Sequence, residues 1–518
     1  MDVIIRNGRI IDGTGSPSYF ADLGIRDGKI VSIGKNLGEA KEIIDAAGLT
    51  VTPGFIDSHS HSDSQMLTRP DMDLKIEQGI TSSIAGQCGG SFVPLSKSAD
   101  RSAFPEIEGV GNEYDLRTDL DRFFDAAKDW SFGSNLGLLI GHGTLRKAVM
   151  GTENRNPSKE ELEEMKQLLR KGLTRGALGL SFGLVYVPGA YAKTEEAVEL
   201  AKVVAEHGKI IAAHMRDERD HLVRATKEFL SIVKQSGARG VISHHKASME
   251  ENWGKVRHTL QMIDEANRSG SEVYLDVYPY TALHTSLRTA FIPKEDLSAG
   301  FRAAAERLLD PSYRETIRAK ADAQYGENDF DWIMITSSPS VPAYSGKRIS
   351  EIAAAKQVSP IDAVMDVLAE NTMEVSACFF SMSEEDVKTV MAHPRAMICT
   401  DSGIPSSKVY HPRARASFPR ALGKYVREEK VVTLPEMIRK MTAMPARVYG
   451  LTGKGLLREG MDADVCIFDE NRIRDLATYE NCHLRAEGLS YVLLGGEVVV
   501  KDAVFQGKRN GKLLLREE

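Results

Sequence analysis

Short apolar runs alternate with longer amphipathic runs along most of this chain, and the alternation restricts the folds available to it. Residues 158–175 place apolar side chains at helical spacing behind a serine suited to cap a helix, and residues 194–206 open with acidic side chains. Strands separated by helices form parallel sheets, and eight such units favour a closed (β/α)8 barrel of the TIM type. The strands are predicted near Phe55, Thr81, Leu138, Leu178, Ile211, Val241, Leu275 and Ile398.

Residue types that bind metal ions follow several of these strands. His59 and His61 end the first run, and because side chains two apart on a strand face the same way, their imidazoles can hold one divalent ion. Thiolate, imidazole and carboxylate together suit zinc better than magnesium or calcium. Since catalytic groups of such barrels lie at the carboxyl ends of the strands, the sequence predicts a zinc enzyme. The other runs stop at Cys88, His214, His244 and Asp401.

The composition excludes several classes of protein. The 518 residues carry a net charge of −7 and a pI of about 6.1, which leaves no basic surface for nucleic acid. We expect no membrane span and no signal peptide, because no long apolar run or basic leader occurs. Five scattered cysteines, an odd number, argue against a disulfide framework. We therefore expect a cytoplasmic enzyme that acts on a small molecule.

Both ends of the chain alternate like strands. Residues 1–52 are too few to form a stable domain alone, and strand-like residues 464–468 and 491–500 can supply partners. We predict one small β-sandwich domain built from residues 1–52 and 450–518, beside a barrel at residues 53–449.

One connection between the predicted barrel strands is unusually long. Residues 287–356, between the seventh and eighth strands, exceed a normal barrel loop and contain a helical stretch at 299–309. We predict that they form an inserted segment that acts as a lid over the site.

Several short motifs are spread from the first residues to the last barrel strand. They are Asn7-Gly8-Arg9-Ile10-Ile11-Asp12-Gly13, Pro53-Gly54-Phe55-Ile56-Asp57, Gly86-Gln87-Cys88-Gly89, Gly179-Leu180-Ser181, Thr194-Glu195-Glu196, Ser243-His244-His245-Lys246 and Tyr278-Pro279-Tyr280. Together they resemble the amidohydrolase superfamily and, within it, the D-aminoacylases, also called N-acyl-D-amino-acid deacylases. The His-x-His pair identifies only the superfamily, whereas Cys88 with the doubled histidine and Lys246 is much narrower.

The resemblance implies a zinc centre with two positions. A tightly held zinc is expected on Cys88, His214 and His244. A second, weaker metal position is expected to face His59, His61 and Asp401. Many relatives instead bridge two metals with a carboxylated lysine at the end of the fourth strand. Here that strand leads to no lysine before Lys193, which favours the cysteine type.

The resemblance also implies the activity, which is hydrolysis of the amide bond of N-acyl-D-amino acids to a carboxylate and a free D-amino acid. Zinc lowers the pKa of a bound water from about 16 towards about 7 and polarises the carbonyl oxygen. Asp401 is the predicted general base and acid, which takes the proton from the water and gives it to the departing amine. The alternative for Asp401 is a helix N-cap, because a Gly-Ile-Pro turn follows Ser402.

Substrate recognition is also carried over from the family. An N-acyl amino acid presents a free carboxylate, which a guanidinium binds as a two-point fork and an ammonium attracts as a point charge. The matching cations are Lys246 and Arg413, although Arg415 is the alternative to Arg413. The matching hydroxyl partners are Tyr186, Tyr280 and Ser286.

Other functions stay open at this point. A cyclic-amide hydrolase of the hydantoinase or dihydroorotase type is opposed by the missing lysine of the fourth strand. A dipeptidase acting on dipeptides with a D-residue is a further alternative, since Phe182 stands where relatives often have a second serine. A non-catalytic scaffold on the same barrel is opposed by the complete set of ligand types.

Overall fold

The computed structural model describes residues 1–107 and 111–516 and contains a parallel eight-stranded barrel. Neighbouring strands pair in parallel in chain order from the first to the eighth. Every predicted strand position lies within one of these strands except Leu178, which immediately precedes the fourth, so the barrel prediction is confirmed. The strands are β1 (Phe55–Asp57), β2 (Ile80–Ala85), β3 (Asn135–Gly141), β4 (Gly179–Gly183), β5 (Ile210–His214), β6 (Arg239–Ile242), β7 (Val273–Val277) and β8 (Ala396–Ile398).

The barrel closes at a seam between β1 and β8. Within the described ranges, no ladder of backbone hydrogen bonds joins these two strands. Beyond their ends the chains are linked by Asp401 N–H, which donates to His59 O at 2.9 Å, and by His61 N–H, which donates to Ser402 O at 3.1 Å. We call this boundary the seam.

The interior of the barrel is apolar. Helix Ala443–Tyr449 packs against this interior cluster, which excludes water from the barrel axis. The strands, together with Leu178 just before β4, contribute Ile56, Ile84, Leu139, Leu178, Ile210, Ala212, Val241, Tyr274 and Met397.

Helices form the outer layer, and the two barrel helices that the sequence predicted, at 158–175 and 194–206, are present. Lys159–Thr174 begins at Ser158, whose hydroxyl accepts from Glu161 N–H while the Glu161 carboxylate accepts from Ser158 N–H. None of the helices in residues 1–107 and 111–516 has the length and apolar character needed to cross a membrane. The further helices are Asp73–Ile76, Glu113–Thr118, Leu120–Ala127, His142–Met150, Thr194–Glu206, Leu222–Ser236, Lys255–Arg268, Glu384–Ala392, Arg413–Arg420, the π-helix Ala421–Glu428, and Leu434–Met441.

Strands from both ends of the chain form a nine-stranded sheet beside the barrel. Thr50–Pro53 pairs with both Val3–Ile10 and Val465–Phe468, and so joins the two ends. The final strand, Leu513–Leu514, instead pairs with β3 of the barrel, so the end of the predicted 450–518 segment packs on the barrel wall. The remaining strands of the sheet are Tyr19–Arg26, Lys29–Gly34, Glu42–Asp45, Leu489–Leu494, Glu497–Lys501 and Val504–Phe505. A two-stranded ribbon pairs Glu106–Ile107 with Gly111–Asn112.

The segment between β7 and β8 has its own sheet and its own hydrophobic core. Ser376–Phe379 pairs with both Leu283–Ser286 and Ile333–Ser337. This pairing ties both flanks into the segment, which therefore extends beyond the predicted 287–356, and we call residues 283–379 the insertion. Its helices are Arg288–Phe291, Phe301–Arg307, Pro311–Tyr325, Ile349–Lys356 and Pro360–Glu370.

Candidate metal centre and substrate cavity

Three predicted ligands meet at the carboxyl ends of strands β2, β5 and β6. His214 shares the inward-facing side of β5 with Ile210 and Ala212, because strand side chains alternate. Cys88 Sγ lies 3.7 Å from His214 Nδ1 and 3.4 Å from His244 Nε2. We call Cys88, His214 and His244 the ladder group, since their strands pair on both sides.

The other predicted ligands meet across the seam. His61 Nε2 lies 3.2 Å from Asp401 Oδ1, and His59 Nε2 lies 3.4 Å from the same oxygen. We call His59, His61 and Asp401 the seam group. His59 Nε2 is also 3.3 Å from Cys88 Sγ, so the two groups adjoin at the thiol.

The protonation of these residues fits a divalent metal ion. Burial lowers the pKa of His214 to about 3 and that of His59 well below its ordinary value, so both imidazoles are neutral. Burial and the nearby Asp401 carboxylate raise the pKa of the Cys88 thiol well above its usual range. A cation at this place would stabilise the thiolate, and thiolate with neutral imidazoles is a donor set of zinc.

The backbone is strained at three candidate ligands. Cys88, His244 and Asp401 have φ values of +53°, +36° and +49°, which side chains other than glycine rarely adopt. Such strain persists where the surrounding structure holds it, and it is concentrated at functional sites. The strained turn after each strand directs its side chain into the centre.

Glycines let the Cys88 loop approach β4. A Cβ at Gly183 would lie 1.9 Å from Cys88 O, and one at Gly89, whose φ is +74°, would lie 2.6 Å from Gly183 N. The Ser181 hydroxyl also clamps this loop, because it donates to Gly86 O at 2.5 Å and accepts from Gly89 N–H at 3.1 Å.

Two acidic residues that were not predicted from the sequence, the half-buried Glu218 and the fully buried Asp276, support the ligand imidazoles. Glu218 Oε1 lies 3.0 Å from His244 Nδ1, and Glu218 Oε2 lies 3.5 Å from His214 Nε2. These are the ring nitrogens that do not face Cys88. Asp276 Oδ1 lies 3.7 Å from His59 Nδ1 and accepts a hydrogen bond from His244 N–H at 2.6 Å. Burial raises the pKa of Asp276 to about 7. Glu218 follows His214 by four residues, and this spacing was the sequence feature that could have indicated a contact between the two side chains.

A cavity of about 760 Å³ opens over the centre. Lys246 in its wall forms an ion pair with Glu218 at 2.7 Å, and the Tyr186 hydroxyl lies 3.0 Å from Thr285 Oγ1 of the insertion. His59 is fully buried beneath the cavity. The predicted site residues that line it are His61, Cys88, Tyr186, His214, His244, Lys246, Asp401 and Arg413.

The structure distinguishes the two candidate arginines by position. Arg413 lines the cavity, with Nη1 2.8 Å from Asp401 Oδ2, whereas Arg415 pairs with Glu77 at 2.6 Å and is not among the described residues that line the cavity. Burial alone would raise the pKa of Asp401, but Arg413 and then His244 hold that pKa well below its ordinary value. Asp401 is therefore a carboxylate.

Tyr280 and Ser286 are not among the described residues that line the cavity. The Tyr280 ring packs against the His411 ring at 5.1 Å and beneath the Arg420 guanidinium, and the Ser286 hydroxyl donates to Val375 O at 3.2 Å. Tyr278 lines the cavity instead, because it directly follows β7.

Asp401 and two further histidines near the site have contacts that bear on their roles. Asp401 caps no helix in the described chain, where the next helix begins at Arg413. His142 Nε2 lies 2.7 Å from Glu196 Oε1, and His245 Nε2 lies 2.8 Å from Thr259 Oγ1, so both side chains make contacts away from the ligand groups.

Comparison with known families places most of the chain in one of them. The model of the Amidohydrolase family matches residues 42–500. The chain is 35% identical over 516 residues to the D-aminoacylase of Alcaligenes xylosoxydans xylosoxydans, an alignment that covers 99% of this chain and 98% of that protein.

Solved structures share the fold over the full length. The N-acyl-D-glutamate deacylase of Bordetella bronchiseptica, complexed with zinc and a phosphonate mimic of the tetrahedral intermediate, superposes with a TM-score of 0.84 at 35% identity and covers 100% of both chains. A D-aminoacylase structure that describes a binuclear metal centre, with one-metal activation and second-metal attenuation, has a TM-score of 0.84 at 33% identity, covering 99% of this chain and 100% of that one.

Proposed function

The chain belongs to the amidohydrolase family, and from this premise we propose that it is a zinc-dependent deacylase of N-acyl-D-amino acids. It would release a carboxylate and a free D-amino acid. The observation that carries the proposal is the meeting of two ligand groups at Cys88, beneath a cavity that holds Lys246 and Arg413. Full-length similarity to a D-aminoacylase and an N-acyl-D-glutamate deacylase supports the substrate class.

The ladder group would hold the tight zinc, and the seam group would hold a second, weaker ion. When bound, zinc polarises the scissile carbonyl and lowers the pKa of water. Glu218 would fix the orientation of His214 and His244, since it contacts the ring nitrogens that face away from the thiol.

Asp401 would move the protons of the reaction. Its carboxylate is anionic and lies at the cavity wall between His61 and Arg413, where it could accept a proton from the attacking water. The same carboxyl group could then protonate the departing amine. Arg413 keeps the pKa of Asp401 low although burial alone would raise it.

Arg413 and Lys246 would bind the free carboxylate of the substrate. Arg413 is buried, yet its Nε and Nη1 have no hydrogen-bond partner in the described residues, although Nη1 is close to Asp401. Since Nη1 is paired with Asp401, Nε is the unused donor that this buried guanidinium can offer to a substrate carboxylate. Lys246 would add a point charge, and Tyr186 a hydroxyl at the cavity wall.

A substrate panel tests the proposed function. We expect the zinc-loaded protein to hydrolyse N-acetyl-D-amino acids and to leave their L-enantiomers largely intact. Hydantoins, dihydroorotate and dipeptides with one D-residue belong in the same panel. Faster turnover of a cyclic amide would overturn the proposal in favour of the hydantoinase type, although β4 contains no lysine.

We also infer that the protein works in a reducing compartment such as the cytoplasm. All five cysteines are free, and four of them are buried. Titration of the denatured protein should detect five thiols, and a smaller number would contradict the inference.

A further inference from the structure

Side chains replace the missing ladder at the seam. Thr400 N–H donates to Asp57 Oδ1 at 2.8 Å, and the Thr400 hydroxyl donates to Asp57 Oδ2 at 2.7 Å. The Ser58 hydroxyl donates to Ile398 O at 3.2 Å. These contacts join β1 to β8 where no ladder of backbone hydrogen bonds does so in the described chain.

Lys75 lies at the centre of these contacts and is fully buried. Its ammonium group lies 2.9 Å from Asp57 Oδ2, 2.6 Å from Thr400 Oγ1 and 2.7 Å from Ser402 O. An ammonium group has three donors, so every donor of Lys75 is directed at a residue of the seam. One partner belongs to the β1 side and the other two belong to the β8 side.

The partners of Lys75 are close neighbours of the seam group in the chain. Asp57 precedes His59 by two residues, and Thr400 and Ser402 flank Asp401. Ser402 O, which accepts from Lys75, also accepts from His61 N–H at 3.1 Å. The position of the ammonium group therefore fixes the backbone on both sides of the ligands.

We propose that Lys75 is a positioning residue for the seam group, which sets the spacing of His59 and His61 from Asp401 across the barrel seam. This inference rests on the proposed function, because a positioning role for Lys75 requires that the seam group binds a metal ion. The ladder group needs no such residue, since its strands are joined on both sides by backbone ladders.

Lys440 provides a matched control at the other end of β8. It is also fully buried, and it donates to His393 O and, at 3.2 Å, to Ala396 O, where β8 begins. Lys440→Met and Lys75→Met therefore each remove a buried ammonium group that donates to backbone at or beside one end of β8. Only Lys75 contacts neighbours of the seam group.

The experiment measures cation binding rather than turnover. Metal-free wild type, Lys75→Met and Lys440→Met are titrated with Zn²⁺ against a chromogenic chelator, and Co²⁺ spectra follow the thiolate-bound ion separately. We expect Lys75→Met to weaken the second, seam-group ion by at least about tenfold and to leave the thiolate-bound ion unchanged. Lys440→Met should lower the melting temperature without changing either affinity.

A second variant guards against poor folding. Lys75→Met leaves Asp57 buried without its cation, whereas Asp57→Asn with Lys75→Met removes both charges. We expect the double variant to fold and still to bind the seam-group ion weakly. Wild-type affinity in the double variant, or in Lys75→Met, overturns the role of Lys75. Wild type that binds no second ion overturns the proposed seam-group metal position and this inference with it.

Discussion

The ladder group and the seam group contain similar ligands but differ in what holds those ligands in place. Cys88, His214 and His244 follow strands that are hydrogen-bonded to neighbours on both sides. His59, His61 and Asp401 face each other across the one barrel boundary at which the described chain forms no strand ladder. Backbone pairing tolerates side-chain substitution, whereas the seam, which has two backbone hydrogen bonds beyond the strand ends, depends more on side-chain contacts. The comparison therefore predicts a robust tight site beside a more easily perturbed one.

The largest expected effect comes from Cys88, the ladder-group residue at which the two groups adjoin. Cys88→Ala removes the thiolate of the ladder group, so we expect loss of the tightly bound zinc and of activity. Metal content of the purified variant measures this directly. Cys378→Ala, at a buried cysteine in the insertion, is the control and should keep both. Full zinc occupancy and rate in Cys88→Ala would show that the ladder group is misassigned.

Asp401→Asn should separate chemistry from tight metal binding. The amide keeps the shape but cannot accept a proton, so kcat should fall by on the order of 10² or more while the ladder group keeps its zinc. Single-turnover kinetics and metal analysis together test the expectation. If the variant turns over at nearly the wild-type rate, the general base is another group.

Substitution of the two cavity cations should mainly impair binding. Lys246→Ala and Arg413→Ala should raise KM for substrates with a free carboxylate by about 10- to 150-fold, the loss of about 1.5–3 kcal/mol. Substrates amidated at that carboxylate should lose less, and Arg415→Ala, which removes the partner of Glu77, should leave KM unchanged. Equal losses on both substrate types would remove both residues from carboxylate recognition.

Arg413→Ala should also move the pH profile. Burial raises the pKa of Asp401 and Arg413 lowers it, so removal of the guanidinium raises this pKa. A general base must be deprotonated, and the acidic limb of kcat/KM should therefore shift to higher pH. The pH dependence of kcat/KM is to be measured for wild type and variant. An unchanged limb would mean that the pair with Asp401 does not govern the titration.

The smallest expected effect comes from a residue outside both groups, and it shows how far a loss of stability alone changes metal binding. Ser158→Ala removes the hydroxyl that caps helix Lys159–Thr174, which should cost about 0.5–2 kcal/mol of unfolding free energy. Denaturant melts measure this cost. Zinc affinities should not change, and a change at either group would show that general destabilisation is enough to perturb the centre.

Much of the barrel and the ligand set could be predicted because each depends on local pattern. An apolar run that stops at His214 or Cys88 predicts a strand and also places the candidate ligand at the carboxyl end of that strand. The cap at Ser158 is similarly local. These features require only the nearest neighbours along the chain.

The parts that were missed depend on contacts between distant segments. Lys75 meets Thr400 across 325 positions, and a contact at that separation leaves no local pattern around Lys75 that would indicate its burial or its partners. Tyr280 was the predicted hydroxyl partner, whereas Tyr278 is the tyrosine that lines the cavity. The alternation of strand side chains ends at β7, so it does not predict which residue of the following turn faces the cavity. The flanks of the insertion were missed since Leu283–Ser286 and Ser376–Phe379 pair with each other over a long interval.

The separate core of the insertion has a consequence for how such enzymes diversify. Residues 283–379 fold around their own apolar cluster, yet Leu283, Thr285 and Phe291 line one side of the cavity. All six ligands of the ladder and seam groups lie outside this segment. Substitutions in this segment can therefore reshape one wall of the cavity, and with it the fit of a substrate, while every metal ligand is left in place.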